Sequence, residues 1–343
     1  NFSEGDVTKA DAVELEAPAD YKWVADGDME KLVAKKYVAQ VGDTKYESLA
    51  DAVAATTRGT ITLLKDAEGD GIFVAAADAK DITIDLNGKT YKVTGKAVGS
   101  TGTATQGFHL EAGNTVTIKN GTITSDTAEV KMLIQNYCNL TLTDVAVDGS
   151  ALAGEGRYVV SNNSGRVVIN GSTSITAKAG DFALDACKFG DYEIPEVTIE
   201  TSGTIAGKIE ATGGKLEIKA GTINGTLLVD SNFSEGDVTK ADAVELEAPF
   251  DYSWSAAEAG VQTLIKHALV KTSAKDATCT EAGNIAYWTC RDCNKIYSDA
   301  AASTEISAED TVISATGHTE VTDKAVAATC TETGLTEGKH CSV

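Results

Sequence analysis

The sequence predicts an all-β chain: a parallel β-helix with an N-terminal capping helix, followed by small Cys/His-stapled β modules. Three observations carry this. Gly, Thr, Ala, Val and Ile dominate, while Pro (3 residues) and aromatic residues (6%) are scarce, a composition suited to short strands and tight turns. A strand–turn–strand word of the type Val-Thr-Ile, Asn-Gly, Thr-Ile recurs between residues 60 and 230. Residues 1–18 recur unchanged at 232–249, an offset of 231 residues, which marks tandem duplication of a module of that length.

In chain order, residues 1–44 read as the tail of a preceding module and a connector. The match continues past the identity, because Asp20, Tyr21 and Trp23 align with Asp251, Tyr252 and Trp254. The chain is therefore expected to begin inside one module and to run through one whole module. Within the connector, residues 29–36 suggest a short helix. Residues 46–56 make a better one, with Leu49, Ala52 and Val53 at i, i+3 and i+4 on one apolar stripe. Laid over the first rung, that helix would cover an open sheet edge, which otherwise invites pairing with another chain. Gly59 stops it, and residues 60–64 open the first strand.

The β-helix module is placed at 45–249. Its markers Ile84, Ile118, Leu142, Ile169, Ile199 and Ile218 are 34, 24, 27, 30 and 19 residues apart. One turn of a parallel β-helix takes roughly 20–25 residues plus loops. A β-sandwich, the competing architecture, would want hairpin spacings of roughly 8–12 residues throughout. In Val116-Thr117-Ile118 apolar residues flank Thr, as in a strand with one face in a core.

Residues 37–53, from Tyr37-Val38-Ala39 to Asp51-Ala52-Val53, together with Ile61-Thr62-Leu63-Leu64-Lys65-Asp66, resemble the opening of β-helix modules in large surface proteins of Gram-positive gut bacteria. Ile82-Thr83-Ile84-Asp85-Leu86-Asn87-Gly88-Lys89-Thr90 resembles their next rung. The resemblance covers residues 37–235. It implies a pectate-lyase-like, right-handed β-helix displayed outside the cell and attached to its surface.

Charge narrows the partners. With 51 acidic and 29 basic residues, the net charge is −22. Such a chain repels nucleic acid and anionic lipid. No run reaches the roughly 20 apolar residues of a membrane helix.

Enzymes on β-helices use clustered carboxylates, often with calcium, and an Arg or Lys base. The candidates are Asp144 and Asp148, and Asp181, Asp185 and Asp191 near Lys188, with His109 in a strand-like stretch. Their spacing is not diagnostic, and they read as solvated loop carboxylates. Asp66-Ala67-Glu68-Gly69-Asp70-Gly71 imitates a calcium loop, but its twelfth position is Ala77 where an EF-hand needs Glu, so it reads as a turn. Gly154-Glu155-Gly156 precedes no phosphate-binding helix. No Ser-His-Asp set or HExxH motif can be assembled, so no catalytic residue is assigned. Matching 133–136 to 159–162 and 183–186 puts Cys138 and Cys187 near one corner, two rungs or roughly 9–10 Å apart. A disulfide needs Cα atoms within about 7 Å, so both are expected to be free, buried and hydrophobe-like.

After a linker at 250–264, a first Cys/His repeat occupies 265–317 and a truncated second one 318–343. His267, Cys279, Cys290 and Cys293 follow at steps of 12, 11 and 3 residues, and His318, Cys330 and Cys341 restart the pattern 51 residues on. Ala277-Thr278-Cys279-Thr280-Glu281 is echoed by Ala328-Thr329-Cys330-Thr331-Glu332. Cys290-Arg291-Asp292-Cys293 on a tight turn would aim two thiolates at one ion. Three cysteines per repeat cannot all pair, whereas Cys3His suits structural zinc; disulfides, natural outside the cell, remain the competing reading. The expected sites are His267, Cys279, Cys290 and Cys293, with His318 as an alternative for His267, and a truncated site at His318, Cys330 and Cys341. A module of about 50 residues needs such a staple. The repeats resemble short Cys–His repeats near the ends of the same surface proteins.

The expected function is a non-enzymatic, extracellular spacer, adhesin or fibre-forming module. Its partners would be neighbouring copies end to end, or a glycan or host-surface ligand. The alternative is a carbohydrate-binding or polysaccharide-cleaving β-helix, marked by exposed aromatic platforms on one face.

Overall fold

Period-two alternation favours strands, and strands dominate the computed structural model, which is all-β. Leu49–Ala55 is the one α-helix among the described residues, which are 5–100, 102–230, 232–249, 251–291 and 293–342. The chain divides into two compact units, residues 1–247 with 257–262, and residues 248–256 with 263–343.

In the first unit the chain alternates between two sheets. One contains Ile72–Val74, Gln106–Leu110, Met132–Asn136, Tyr158–Asn162, Phe182–Cys187, Lys208–Thr212 and Leu227–Val229, neighbours in that order. The other runs through Arg58–Leu63, Asp81–Val93, Thr115–Ser125, Asn139–Gly149, Arg166–Gly171, Glu196–Ala206, Lys215–Asn224 and Val238–Ala241. Each passage adds one strand to each sheet, parallel to the one before. The strands of the second sheet bend midway. Asn87, Asn120 and Asp144 have φ of 51°, 58° and 52° there, a left-handed conformation that Asn and Asp tolerate better than most residues. The recurrent Asn-Gly words are these corners.

The markers form one inward column. Ile84 pairs with Ile118, Ile118 with Leu142, Leu142 with Ile169, Ile169 with Ile199 and Ile199 with Ile218. All are buried, as is Ile61 ahead of them. The other sheet supplies Ile72, Phe108, Ile134, Val160, Leu184, Ile209 and Leu227. Burying each large side chain contributes roughly 1.5–3 kcal/mol. Asn136 and Asn162 are polar inward positions of this sheet. Asn136 Nδ2 donates to Asn162 Oδ1 (2.9 Å) and to the Cys138 carbonyl (2.8 Å), and Asn162 Nδ2 donates to the Glu196 carbonyl (3.1 Å). These amides satisfy buried carbonyls where the chain leaves one sheet for the other.

Both module cysteines are free, as expected, but only Cys138 is buried. It lies two residues beyond Asn136, hence inward and buried, and burial pushes its thiol up to about 12. Cys187 lies one residue beyond Ala186, the rung equivalent of Asn136, so the pleat turns it outward and it is half-buried. Among the described residues no disulfide is formed.

The helix Leu49–Ala55 is shorter than the expected 46–56. Ser48 caps it by accepting from Asp51 N (3.0 Å), and Leu49, Ala52 and Val53 are its buried face. Residues 29–36 are not helical. Met29–Ala34 is a strand, turned back by Gly27-Asp28 to pair antiparallel with Tyr21–Asp26, with Leu32 opposite Trp23. Cross-strand packing outweighs a helix propensity worth only tenths of a kcal/mol per residue.

The duplicated words fold alike. Lys9 Nζ donates to the Val13 carbonyl (2.8 Å), and Lys240 Nζ to the Val244 carbonyl (2.7 Å). Trp23 pairs with Leu32, and Trp254 with Leu264. Residues 250–264, expected to be a linker, thus contribute the strand Tyr252–Trp254.

Candidate metal centres

The second unit is made of short strands around Leu269–Thr272, Tyr287–Cys290, Ile296–Tyr297 and Glu305–Ile306. Its buried centre is small: Cys290, Tyr297 and Ala302, with Leu269 and Cys293 packed against them.

Two groups of three Cys and His side chains converge here, each with its ligand-type atoms within 4.8 Å of one another. The first is His267, Cys290 and Cys293. Cys290 ends the strand Tyr287–Cys290. Asn294, at φ 59°, closes the following turn through its N–H to the Cys290 carbonyl (3.0 Å). That turn brings the second cysteine back beside the first. His267 Nδ1 lies 3.1 Å from Cys290 Sγ and 3.6 Å from Cys293 Sγ. Its other nitrogen, Nε2, is 3.0 Å from the Tyr297 hydroxyl, so the ring is oriented with Nδ1 toward the sulfurs. Burial, ahead of the neighbouring Cys290, raises the Cys293 thiol above its ordinary value. The second group is Cys279, His318 and Cys341, with the two sulfurs 3.5 Å apart.

This grouping departs from the spacing-based assignment. His267, Cys290 and Cys293 come together as expected, but Cys279 joins His318 and Cys341. Cys330 belongs to neither group and is exposed. Tyr297 was not anticipated; only its position four residues beyond Cys293 could have drawn attention to it.

The carboxylate candidates disperse. Asp144 accepts from Ser172 N and Oγ (2.8 and 2.9 Å), which hold its carboxyl below the usual range. Asp148 accepts from Ser150 N (3.0 Å). Asp181, expected to be solvated, is instead buried; its Oδ1 accepts from Gly156 N (2.7 Å). Asp191 and Lys188 are exposed. Asp66 and Asp70 accept from the N–H groups of Thr90 and Lys96 (2.8 Å each), as turn residues between rungs. His109 is buried with its ring stacked on Phe73 (centroids 5.4 Å) and Nδ1 2.9 Å from Gln135 Oε1.

Asp185 is buried as well, on the outward side of the sheet, and accepts from Ser161 Oγ (2.9 Å) and Asn162 N (2.8 Å). Burial pushes its carboxyl up to about 8. An unfolded Asp titrates near 3.9. Between these values the folded chain holds a proton that the unfolded chain releases, so stability falls as pH rises from about 4 to about 8, by at most about 1.4 kcal/mol per pH unit. Asp185→Asn is expected to be more stable than the parent at pH 8 and to lose that advantage at pH 4, as read from urea melts. Parallel pH profiles for the two chains would count against a buried proton.

An aromatic row also emerges that the sequence did not disclose. Phe73, His109, Tyr137, Tyr192 and Phe189 follow one another at centroid separations of 5.4, 5.8, 5.1 and 6.5 Å. Phe73, Tyr192 and Phe189 are exposed, and Tyr137 and Tyr192 line a cleft of about 430 Å³.

No family model matches this chain, and no curated protein or solved structure matches it either.

Proposed function

We propose that the chain is part of a non-enzymatic, extracellular surface protein in which right-handed parallel β-helix modules follow one another as a spacer or adhesive shaft. Small zinc-stapled Cys/His modules follow them. One observation carries the reading. In its second copy the duplicated segment closes the stack, because Val238–Ala241 pairs with the last long strand, Leu216 against Val238 and Ile218 against Lys240. Val238 and Val244 are then 0% and 6% exposed, whereas their first-copy twins, Val7 and Val13, are 40% and 48% exposed. In the first copy, Thr8–Ala10 is the edge strand of its three-stranded sheet. The first copy therefore offers the surface that the second copy buries, and the last rung of another module is its natural cover. Right-handedness rests on the general preference of parallel crossover connections, about 98% of cases.

The metal reading rests on donor chemistry. Cys and His together select zinc-like ions. With Zn–S about 2.3 Å and Zn–N about 2.0–2.1 Å, tetrahedral edges are about 3.8 Å between sulfurs and about 3.6 Å between sulfur and nitrogen. The observed separations of 3.5 Å between sulfurs and 3.6 Å between Cys293 Sγ and His267 Nδ1 lie near those edges, while Cys290 Sγ is closer to the ring, at 3.1 Å; 3.5 Å is far beyond the roughly 2.05 Å of a disulfide.

A chain carrying one further 231-residue copy is expected to lengthen as a rod, by about 4.8 Å per added rung, in small-angle scattering. A globular particle would overturn the shaft. The exposed aromatic row supports a second reading, glycan binding along that face, since aromatic rings suit the apolar faces of sugars. A polysaccharide screen separates the two: turnover would end the non-enzymatic reading, and saturable binding without turnover would favour the second.

A further inference from the structure

We infer that the second metal centre is shared between consecutive Cys/His copies: Cys279 from the first copy, His318 and Cys341 from the second. The inference rests on the metal reading above and adds to it a rule for assembling copies.

The two copies fold alike at an offset of 51 residues. Leu269 pairs with Cys290, and Glu320 with Cys341. Arg291 N donates to the Ala268 carbonyl (3.1 Å), and Ser342 N to the Thr319 carbonyl (3.0 Å). Lys275 bridges Asn284 as Val326 bridges Leu335. Under this correspondence His267 equals His318 and Cys290 equals Cys341. The groups share two positions and differ in the third, which is Cys293 in one and Cys279 in the other. Overlaid, they make one Cys3His set: a cysteine from the preceding copy, then the histidine and the two knuckle cysteines of the copy itself. That is the ligand number of a closed structural zinc site.

The backbone explains why Cys279 reaches forward. Thr316 N donates to the Thr278 carbonyl (2.9 Å), and Gly283 and Asn284 pair with Ile313 and Val312. These bonds fold the Cys279 loop against the segment leading into His318. Gly283 permits the turn, since a Cβ there would stand 2.2 Å from the Lys275 carbonyl oxygen; Gly334 is its counterpart, 2.5 Å from the Val326 carbonyl oxygen. Cys330, the counterpart of Cys279, is exposed and outside both groups. An ion held in this way fixes one copy to the next, as side-chain packing does in larger repeat proteins.

The test is metal content of the full chain, purified reduced with zinc and measured by elemental analysis beside a thiol count, with cobalt substitution to report thiolate ligation. The parent is expected to bind about two ions, one per group. Cys279→Ser, and independently His318→Gln at an exposed position, should each remove about half of the metal. Cys330→Ser should remove none. In a Cys290→Ser background, which disables the first group, adding Cys279→Ser should abolish the remaining ion. Retention of that ion, or loss of metal on Cys330→Ser, would overturn the shared site while leaving metal binding itself intact. A disulfide between Cys279 and Cys341 in the native chain would do the same. A reduced parent that binds no metal would overturn both readings.

Discussion

On the proposed zinc reading, stripping zinc from the reduced, zinc-loaded chain is expected to melt the strands Leu269–Thr272, Tyr287–Cys290 and Ile296–Tyr297 while the two stacked sheets stay folded. The buried centre of this region is Cys290, Tyr297 and Ala302, so little apolar surface supports it, and two of the residues packed there are ligands. Structural zinc contributes roughly 10–16 kcal/mol in apparent terms to small modules at neutral pH, more than so small a core supplies. Trp288 reports the event, because it pairs with Lys271 on one side and Tyr297 on the other, with Lys271 Nζ 5.3 Å from its ring centroid. Chelator should shift its fluorescence to that of a solvated indole, and zinc should restore it. The far-ultraviolet signal of the large sheets should persist. Acid should act like chelator, since thiolate and imidazole ligands must shed protons to bind metal. His318 is exposed and Cys290 buried, so the second group is expected to empty first. An unchanged Trp288 spectrum after complete metal removal would show that packing alone holds the region.

Legibility in the sequence follows the range of the interaction. The inward column from Ile84 to Ile218 was legible because a strand fixes side-chain direction every two residues, and all six markers lie in mutual register. The corners at Asn87 and Asn120 were legible for a similarly local reason, their tolerance of positive φ. The same counting, applied one residue further, would have turned Cys187 outward. Residues 29–36 misled because their helix propensity is local, whereas Trp23, which packs opposite Leu32, lies on the preceding strand.

The converging Cys and His residues show the limit more sharply. Residue types and the Cys-x-x-Cys turn picked out six side chains that converge, but they also included Cys330, which does not, and they did not show which copy Cys279 serves. Spacing along the chain is indifferent to whether Cys279 folds back toward His267 or forward toward His318. The choice is made by the Thr316–Thr278 hydrogen bond and the Gly283–Ile313 pairing, neither of which leaves a mark in the sequence. The aromatic row is hidden likewise, because it joins residues from 73 to 192 through five separate contributions.

Within the stack, Ile118→Ala is expected to cost about 2–5 kcal/mol, among the largest effects of any single truncation in the first unit. Ile118 is fully buried, with Ile84 paired on one side and Leu142 on the other. Each rung packs on its two neighbours, so the rungs above and below hold the resulting cavity open and it cannot collapse. The adjacent outward residue provides the control. Thr117 pairs with Thr83 and Thr141 and is half-buried, so Thr117→Ala should stay within about 0.5 kcal/mol. Ile223 should fall between them, because it is half-buried and pairs with Ile205 near the end of the stack. Urea melts read all three: the midpoint drops for Ile118→Ala, and a fall in m would mean that the halves on either side of the weakened rung melt apart. Equal costs at Ile118 and Thr117 would mean that the inward column does not hold the sheets together.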